Sequence, residues 1–388
     1  MKIYYDNSAT TKVDPKVFET MAPYLQEEFG NSGSMHSFGQ KALAAVDKAR
    51  DQVARFLGCE AQEIIFTSGA TESNNLILQG VVKYFTKQNK EIHIITSQIE
   101  HPAVLEVCKE LEKRPMVEVD YVKVDKAGII DLEQLESKIK DNTVLVSIMY
   151  ANNEVGSIQP LKKVDEILKQ VQTNRGSSGL PIYFHTDAVQ AVNYLDCKVD
   201  NLGVDFLSLS GHKIYGPKGV GALYIRAAAK LEPIICGGHQ EYNLRPGTLN
   251  VPGVAGLGEA IELVGEESKK VKKIKEQIVK ELENIENVRF NGESESQLPN
   301  LINISFLKAE GESILMMLDM EGIAISTGSA CSSGSLEPSH VLTAMGIKPE
   351  WSHGSVRISL GRFNSEDEIS HFIKVITSTI KKLRQMAP

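Results

Sequence analysis

Three stretches of the chain combine residue types that could together anchor a phosphate, hold a protonated ring and attack a carbonyl. The first is Ser210-Gly211-His212-Lys213-Ile214-Tyr215-Gly216-Pro217-Lys218-Gly219, which follows an apolar run. Lysine avoids the end of a buried strand unless it is paired or functional. Lys213, crowded by Gly and His, could act there as a nucleophilic amine. The run is not a Walker A loop, because no Gly-Lys-Ser/Thr follows at the required spacing. The second stretch is Phe184-His185-Thr186-Asp187-Ala188-Val189-Gln190, an apolar strand that ends in a carboxylate. A carboxylate on a crevice floor is costly unless it meets a cation or hydrogen bonds. Asp187 is therefore either a helix N-cap or the partner of a protonated heterocycle. The third stretch is Ser68-Gly69-Ala70-Thr71-Glu72-Ser73, small residues between a strand and a helix. It reads as a simple helix cap or as a phosphate cradle on the positive end of a helix dipole. Phosphate cradle, carboxylate and lysine at successive strand ends are the set that a pyridoxal-phosphate site needs.

One cysteine stands apart from the other four. Cys331 lies in Ser326-Thr327-Gly328-Ser329-Ala330-Cys331-Ser332-Ser333-Gly334-Ser335, where eight of ten residues are Ser, Thr or Gly. Such a segment has little apolar surface to bury, and a mobile loop is expected. An unburied thiol points to reactivity rather than packing. The alternatives are a chance exposed thiol or a metal ligand. His340 and His353 are spaced unlike zinc ligands and no second cysteine is near, so no metal site is expected. Cys59, Cys108, Cys197 and Cys236 read as small buried thiols. An odd count without a CxxC pair argues against a disulfide framework or zinc ribbon.

These residues need a scaffold that brings strand ends together. Apolar runs of strand length recur at 63–67, 92–97, 143–149, 181–186, 205–210 and 220–225. Several are nearly all apolar, as strands buried on both faces should be. Helix-period segments lie between many of them, at 72–86, 102–113 and 161–171. This alternation predicts an α/β fold with a mostly parallel sheet sandwiched by helices. Ligands in such sheets bind outside the carboxyl ends of the strands. The sheet is assigned to a large domain at 14–260. A long solvated helix within 254–285 leads into a smaller C-terminal α+β domain at 261–388. That domain should carry strands at 301–306 and 355–360 and a closing helix at 366–383. Residues 1–13 are too few to fold alone and should pack near the junction.

The 388 residues exceed what one core usually supports. The composition, 42% hydrophobic and 24% charged, is that of a soluble globular protein. A net charge of −8 argues against non-specific nucleic-acid binding. The N-terminus lacks the apolar region of a signal peptide, and no stretch approaches a membrane span, so the expectation is a cytoplasmic protein, or one whose organellar presequence lies outside this sequence.

SGATESNN, EHPAVLE, NNEVG, HTDAVQ, SLSGHKIYGPKG, RPGTLN and GSACSSGSLEPSHVL resemble the cysteine desulfurases of the NifS/IscS-like branch. These belong to the fold-type I, class V aminotransferase superfamily, and the resemblance runs from Tyr5 to Arg357. It implies pyridoxal 5'-phosphate as cofactor and a Schiff base on Lys213. Asp187 would pair with the ring nitrogen and Gln190 with the ring hydroxyl. Ala70, Thr71, Ser210 and His212 would bind the phosphate. Thr248 would reach the phosphate of a neighbouring subunit, which implies a homodimer. His101 would stack on the ring and help move protons. Asn153 and Arg357 would hold the substrate carboxylate. For individual positions, His101 could instead be a structural histidine, Arg357 a structural ion pair and Asn153 a turn former.

The activity so implied is removal of sulfur from L-cysteine, leaving L-alanine and a persulfide on Cys331. The expected recipient is a sulfur-acceptor protein such as an iron–sulfur scaffold. A transient iron–sulfur ligand role is also open to Cys331. Another class V reaction, such as aminotransfer or selenocysteine lysis, would need Lys213 and Asp187 but not this cysteine loop. A scaffold that binds partners without turnover would need none of the catalytic residue types.

Overall fold

The computed structural model describes residues 2–176, 179–292, 294–327 and 338–386. The chain opens with a two-residue strand, β1 (Ile3–Tyr4). The main sheet follows: β2 (Ile64–Thr67), β3 (Ile92–Ser97), β4 (Val117–Val122), β5 (Thr143–Ser147), β6 (Tyr183–Asp187), β7 (Phe206–Ser210) and β8 (Gly221–Ile225). Its seven strands lie in the order β2-β8-β7-β6-β5-β3-β4. Neighbours from β7 through β4 are parallel, and β8 runs antiparallel between β7 and β2. The carboxyl ends of β2, β7, β6, β5 and β3 therefore share one edge, where ligands of such sheets bind.

All these strands except β4 are buried along their whole length, because helices cover both faces of the sheet. One face packs on Val46, Val53 and Leu57 of helix Ser37–Leu57 and on Val254 and Leu257 of helix Val251–Glu262. The other packs on Leu76, Val81 and Phe85 of helix Ala70–Thr86 and on Val104 and Leu111 of helix Pro102–Glu112. β4 was not anticipated. Its sequence, VEVDYV, buries only Val117, Val119 and Val122, as suits an edge strand, and it lacks the all-apolar signature of its neighbours. The antiparallel direction of β8 has no signature in its apolar run either.

The C-terminal region holds β9 (Val288–Phe290), β10 (Leu301–Phe306), β11 (Ile323–Ala324) and β12 (Ser355–Ser359). β10 sits between β12 and β9, antiparallel to both. Helices Ser268–Leu282 and Asp367–Met386 pack Ile274, Ile278, Phe372 and Ile376 against this sheet. The long charged helix is Ser268–Leu282, in the second half of 254–285, and the separate helix Val251–Glu262 precedes it. The break follows Glu262, and Gly265 there adopts φ +88°.

The N-terminal segment links both regions. β1 pairs in parallel with β11, and Ile3 and Tyr5 join the C-terminal core. The chain then crosses to the main sheet, where Thr11 N–H donates to His212 O (2.9 Å) and Asp14 N–H to Tyr215 O (2.9 Å). Arg362 fastens the crossing through Asp14 (2.7 Å) and Glu267 (3.3 Å). Among the described residues, no helix is long and apolar enough to cross a membrane.

Candidate active site

A cavity of about 580 Å³ opens at the carboxyl edge of the main sheet. Ala70, Thr71, His101, Asn153, Asp187, Gln190, Ser210, His212, Lys213 and Arg357 all line it. Thr248 does not line it and is exposed on this chain. Cys331 lies outside the described residues, within 328–337. No other cysteine among the described residues lines the cavity. Cys108 and Cys197 are buried, Cys59 is half-buried and Cys236 is exposed, contrary to the expectation of four buried thiols. Burial pushes the Cys108 and Cys197 thiols up, away from the reactive thiolate form.

The cradle is built where β2 runs into helix Ala70–Thr86. Gly69 is the N-cap residue, at φ 149° and ψ 176°, a backbone conformation open to glycine. A Cβ on Gly221 of the adjacent β8 would come within 2.7 Å of Gly69 Cα, so only glycine lets the two segments approach. The first turn of any helix leaves N–H groups without helical partners. Here Ala70, Thr71 and Glu72 form that turn and line the cavity, with Ser210 on the facing strand end. Burial alone would raise the Glu72 carboxyl. Hydrogen bonds from Arg245 (2.8 Å) and Ser68 N–H (2.8 Å) hold it below its ordinary value. A tetrahedral dianion fits this end of the cavity by the chemistry of the donors facing it.

Asp187 ends β6 and is 6% exposed. Asn74 Nδ2 donates to its Oδ2 (2.7 Å) and Val189 N–H to its Oδ1 (3.0 Å), which fixes the carboxylate plane. Asn74, fully buried one turn inside the cradle helix, was not singled out from sequence. Its only signal is an amide at a position that should face the core. Lys213 follows β7 in a single 3₁₀ turn, Gly211–Lys213. Its Nζ donates to Ser8 O (2.5 Å) and Ala9 O (2.7 Å). Gln190 Nε2 donates to the same Ser8 oxygen (3.0 Å), and His212 Nδ1 meets Thr10 Oγ (3.2 Å). The N-terminal turn thus forms one wall of the site, through backbone carbonyls that no motif reveals.

His101 is the N-cap of helix Pro102–Glu112, and its Nδ1 accepts from Ala103 N–H (3.1 Å). That bond leaves Nε2 as the ring nitrogen able to exchange a proton in the neutral form. Burial lowers the pKa of His101, with Asp187 opposing the shift and Lys213 adding to it. Structural cap and cavity wall are thus the same residue. Asn152 and Asn153 divide their tasks. Asn152 is fully buried, donating to Ile99 O (3.0 Å) and accepting from the Glu154 and Val155 N–H groups (2.8 and 3.0 Å). Asn153 lines the cavity, and its carbonyl accepts from Arg357 Nη1 (2.9 Å).

Two buried carboxyls stand behind this wall. Burial raises Glu154 to about 7, although it accepts from Ser339 Oγ (2.5 Å) and feels Arg357. Burial pushes Glu100, next to His101, up to about 8. Glu100 Oε1 accepts from Ser97 Oγ (2.6 Å) and Met149 N–H (2.9 Å), whereas Oε2 has no partner among the described residues. Between the ordinary value of 4.5 and about 8, the folded chain holds a proton here that the unfolded chain has lost. The contribution of this group to stability therefore falls as pH rises through that window. Glu100→Gln keeps the Oε1 acceptor and removes the charge. It should unfold at higher denaturant than the parent at pH 9, by on the order of a few kcal/mol, with the gain vanishing near pH 4. Denaturant melts at both pH values check this, and parallel curves for the two proteins would count against it.

Comparisons with known proteins agree along the whole chain. The Aminotransferase class-V family model matches residues 3–372. Cysteine desulfurase IscS of Dictyoglomus turgidum is 46% identical over 392 aligned positions, covering 100% of this chain and 96% of the relative. Cysteine desulfurase IscS of Methanosarcina thermophila is 46% identical, covering 100% of this chain and 94% of its own. A solved NifS-like protein superposes with a TM-score of 0.91 at 40% identity, covering 98% of this chain and all of the other. SspA in complex with cysteine superposes with a TM-score of 0.81 at 36% identity, covering 94% of this chain and all of SspA.

Proposed function

The chain belongs to the class-V aminotransferase family and is a cysteine desulfurase, and from that premise we propose that its cavity binds pyridoxal 5'-phosphate and L-cysteine through the residues described above. The observation that carries this reading is the convergence of Lys213, the Asn74-held Asp187 and the glycine-shaped cradle on one cavity. Ala70, Thr71, Ser210 and His212 hold the phosphate, and Gln190 holds the ring hydroxyl. Asp187 keeps the ring nitrogen protonated, and Lys213 makes the covalent attachment. Bound in this way, the cofactor supplies an electron sink for the substrate's α and β carbons.

The remaining work falls to the chain's own groups. Arg357 and the Asn153 amide hold the substrate carboxylate, which orients the amine toward Lys213. The Lys213 amine would then take the Cα proton, and His101 Nε2 would help to move protons. The Cys331 thiolate attacks the substrate sulfur. A new S–S bond forms, the Cβ–S bond breaks, and its electron pair goes to carbon, which is protonated to alanine. Cys331 keeps the sulfur as a persulfide and passes it to an acceptor protein such as an iron–sulfur scaffold. The enzyme works as a cytoplasmic homodimer, in which Thr248, exposed on one chain, completes the phosphate site of the neighbouring subunit.

The test is to incubate cofactor-loaded protein with L-cysteine and a reductant and to quantify alanine and sulfide together. Equal amounts of the two are expected. Alanine without sulfide, or neither product, would overturn the reading.

A further inference from the structure

Arg357 does not wait bare for its ligand. It lies on β12, its side chain is 4% exposed, and its Nη2 donates to Asp6 Oδ1 at 3.0 Å. Nη1 is engaged by the Asn153 carbonyl, while Nε is buried without a partner among the described residues. Asp6 is fixed to the same strand, since its backbone bridges Ser359. Its carbonyl also closes the turn by accepting from Ala9 N–H (3.0 Å), and the Ser8 and Ala9 carbonyls of that turn hold Lys213.

We propose that Asp6 is a positioning residue for substrate recognition: it orients the Arg357 guanidinium and, as a resident anion, sets how tightly the substrate carboxylate binds. The inference rests on the reading that Arg357 receives that carboxylate. A guanidinium buried this deeply would be costly without a counter-ion, and two fixed acceptors define its plane. The incoming carboxylate therefore meets a cation already neutralised and shares it with a like charge. Burial raises the Asp6 carboxyl while Arg357 and Lys213 pull it down, so its charge depends on both cations of the site. A ligand with a carboxylate feels this competition, and a simple amine does not.

The cofactor-loaded protein is titrated with L-alanine and, separately, with ethylamine, and binding is read from the absorbance of the bound cofactor. Asp6→Asn keeps an acceptor for Nη2 and removes the charge. It should tighten L-alanine binding about fivefold and leave ethylamine within about twofold. Asp6→Ala removes the orienting acceptor as well and should weaken L-alanine at least about fivefold, again without moving ethylamine. If one variant fails to load cofactor, the other decides. Equal shifts for both ligands, or none for either, would overturn the proposal. Arg357→Lys tests the underlying reading separately. If it weakens neither ligand, or weakens both alike, Arg357 does not receive the carboxylate, whatever Asp6 does.

Discussion

Replacing Lys213 with alanine should lower turnover of L-cysteine by about 10⁴-fold, the upper range for a lost proton-transfer group that is also the covalent anchor. The cofactor should still bind, because the cradle, Asp187 and Gln190 remain, but it should no longer survive denaturation attached to the chain. The argument is positional. Lys213 stands one 3₁₀ turn past β7, between the cradle after β2 and the carboxylate that ends β6. Its Nζ already lies against the cavity wall, held by the Ser8 and Ala9 carbonyls. Lys218 also lines the cavity. It lies beyond Gly216 and Pro217, five residues further along the chain, and its Nζ makes no hydrogen bond to a backbone carbonyl among the described residues. Borohydride reduction followed by mass measurement reads the attachment, and alanine release reads the turnover. Methylamine in solution should restore part of the proton transfer in Lys213→Ala, because the shortened side chain leaves room for an untethered amine. A variant that keeps the cofactor covalently attached and turns over normally would remove Lys213 from the mechanism.

The scaffold and many of the residues that line the cavity were legible in the sequence, others were not, and the reasons are physical. β3 and β10 match their apolar runs at both ends, because burial on both faces leaves a continuous signal. Helix Ala70–Thr86 starts two residues before the expected position, since Ala and Thr after a glycine carry little periodicity. That shift puts Ala70 and Thr71 in the first turn, beside the cavity. Lys213 and Asp187 stood out because a charged residue directly after an apolar run needs a reason. Asp6, Ser8 and Ala9 gave no such signal. Their contacts with Arg357 and Lys213 span more than 200 residues of sequence, and two of them are made by backbone carbonyls, which carry no residue identity. Asn74 is hidden in a pair with Asn75, and only the fold shows that Asn74 faces Asp187 while Asn75 bonds back to Thr71 O. The same holds for Asn152 and Asn153.

Cys331→Ser should abolish the persulfide and lower alanine and sulfide formation together by at least about 10²-fold, while ligand binding stays within about twofold. Serine preserves size and hydrogen bonding but cannot accept a sulfur atom from the substrate. The Cβ–S bond then has no thiolate to take its sulfur, and the carbon fragment cannot leave as alanine at the normal rate. The segment carrying Cys331 is tied to the site at both roots. Five residues before it, Ser326 bridges the backbone of Arg357, with N–H to O distances of 3.1 and 2.6 Å. Eight residues after it, Ser339 Oγ donates to Glu154 (2.5 Å), and His340 Nε2 donates to Glu100 O (2.9 Å). One root therefore touches the proposed carboxylate site and the other the residues next to Asn153 and His101. Labelling with a persulfide-specific alkylating reagent after a single turnover locates the sulfur. If Cys331→Ser retained the label, Cys236 would be the thiol to test. It is exposed, whereas Cys108 and Cys197 are buried with thiols pushed up and away from the nucleophilic form. Loss of the label with normal alanine release would mean that carbon–sulfur cleavage does not wait for the cysteine, and the order of the two bond changes would have to be reversed.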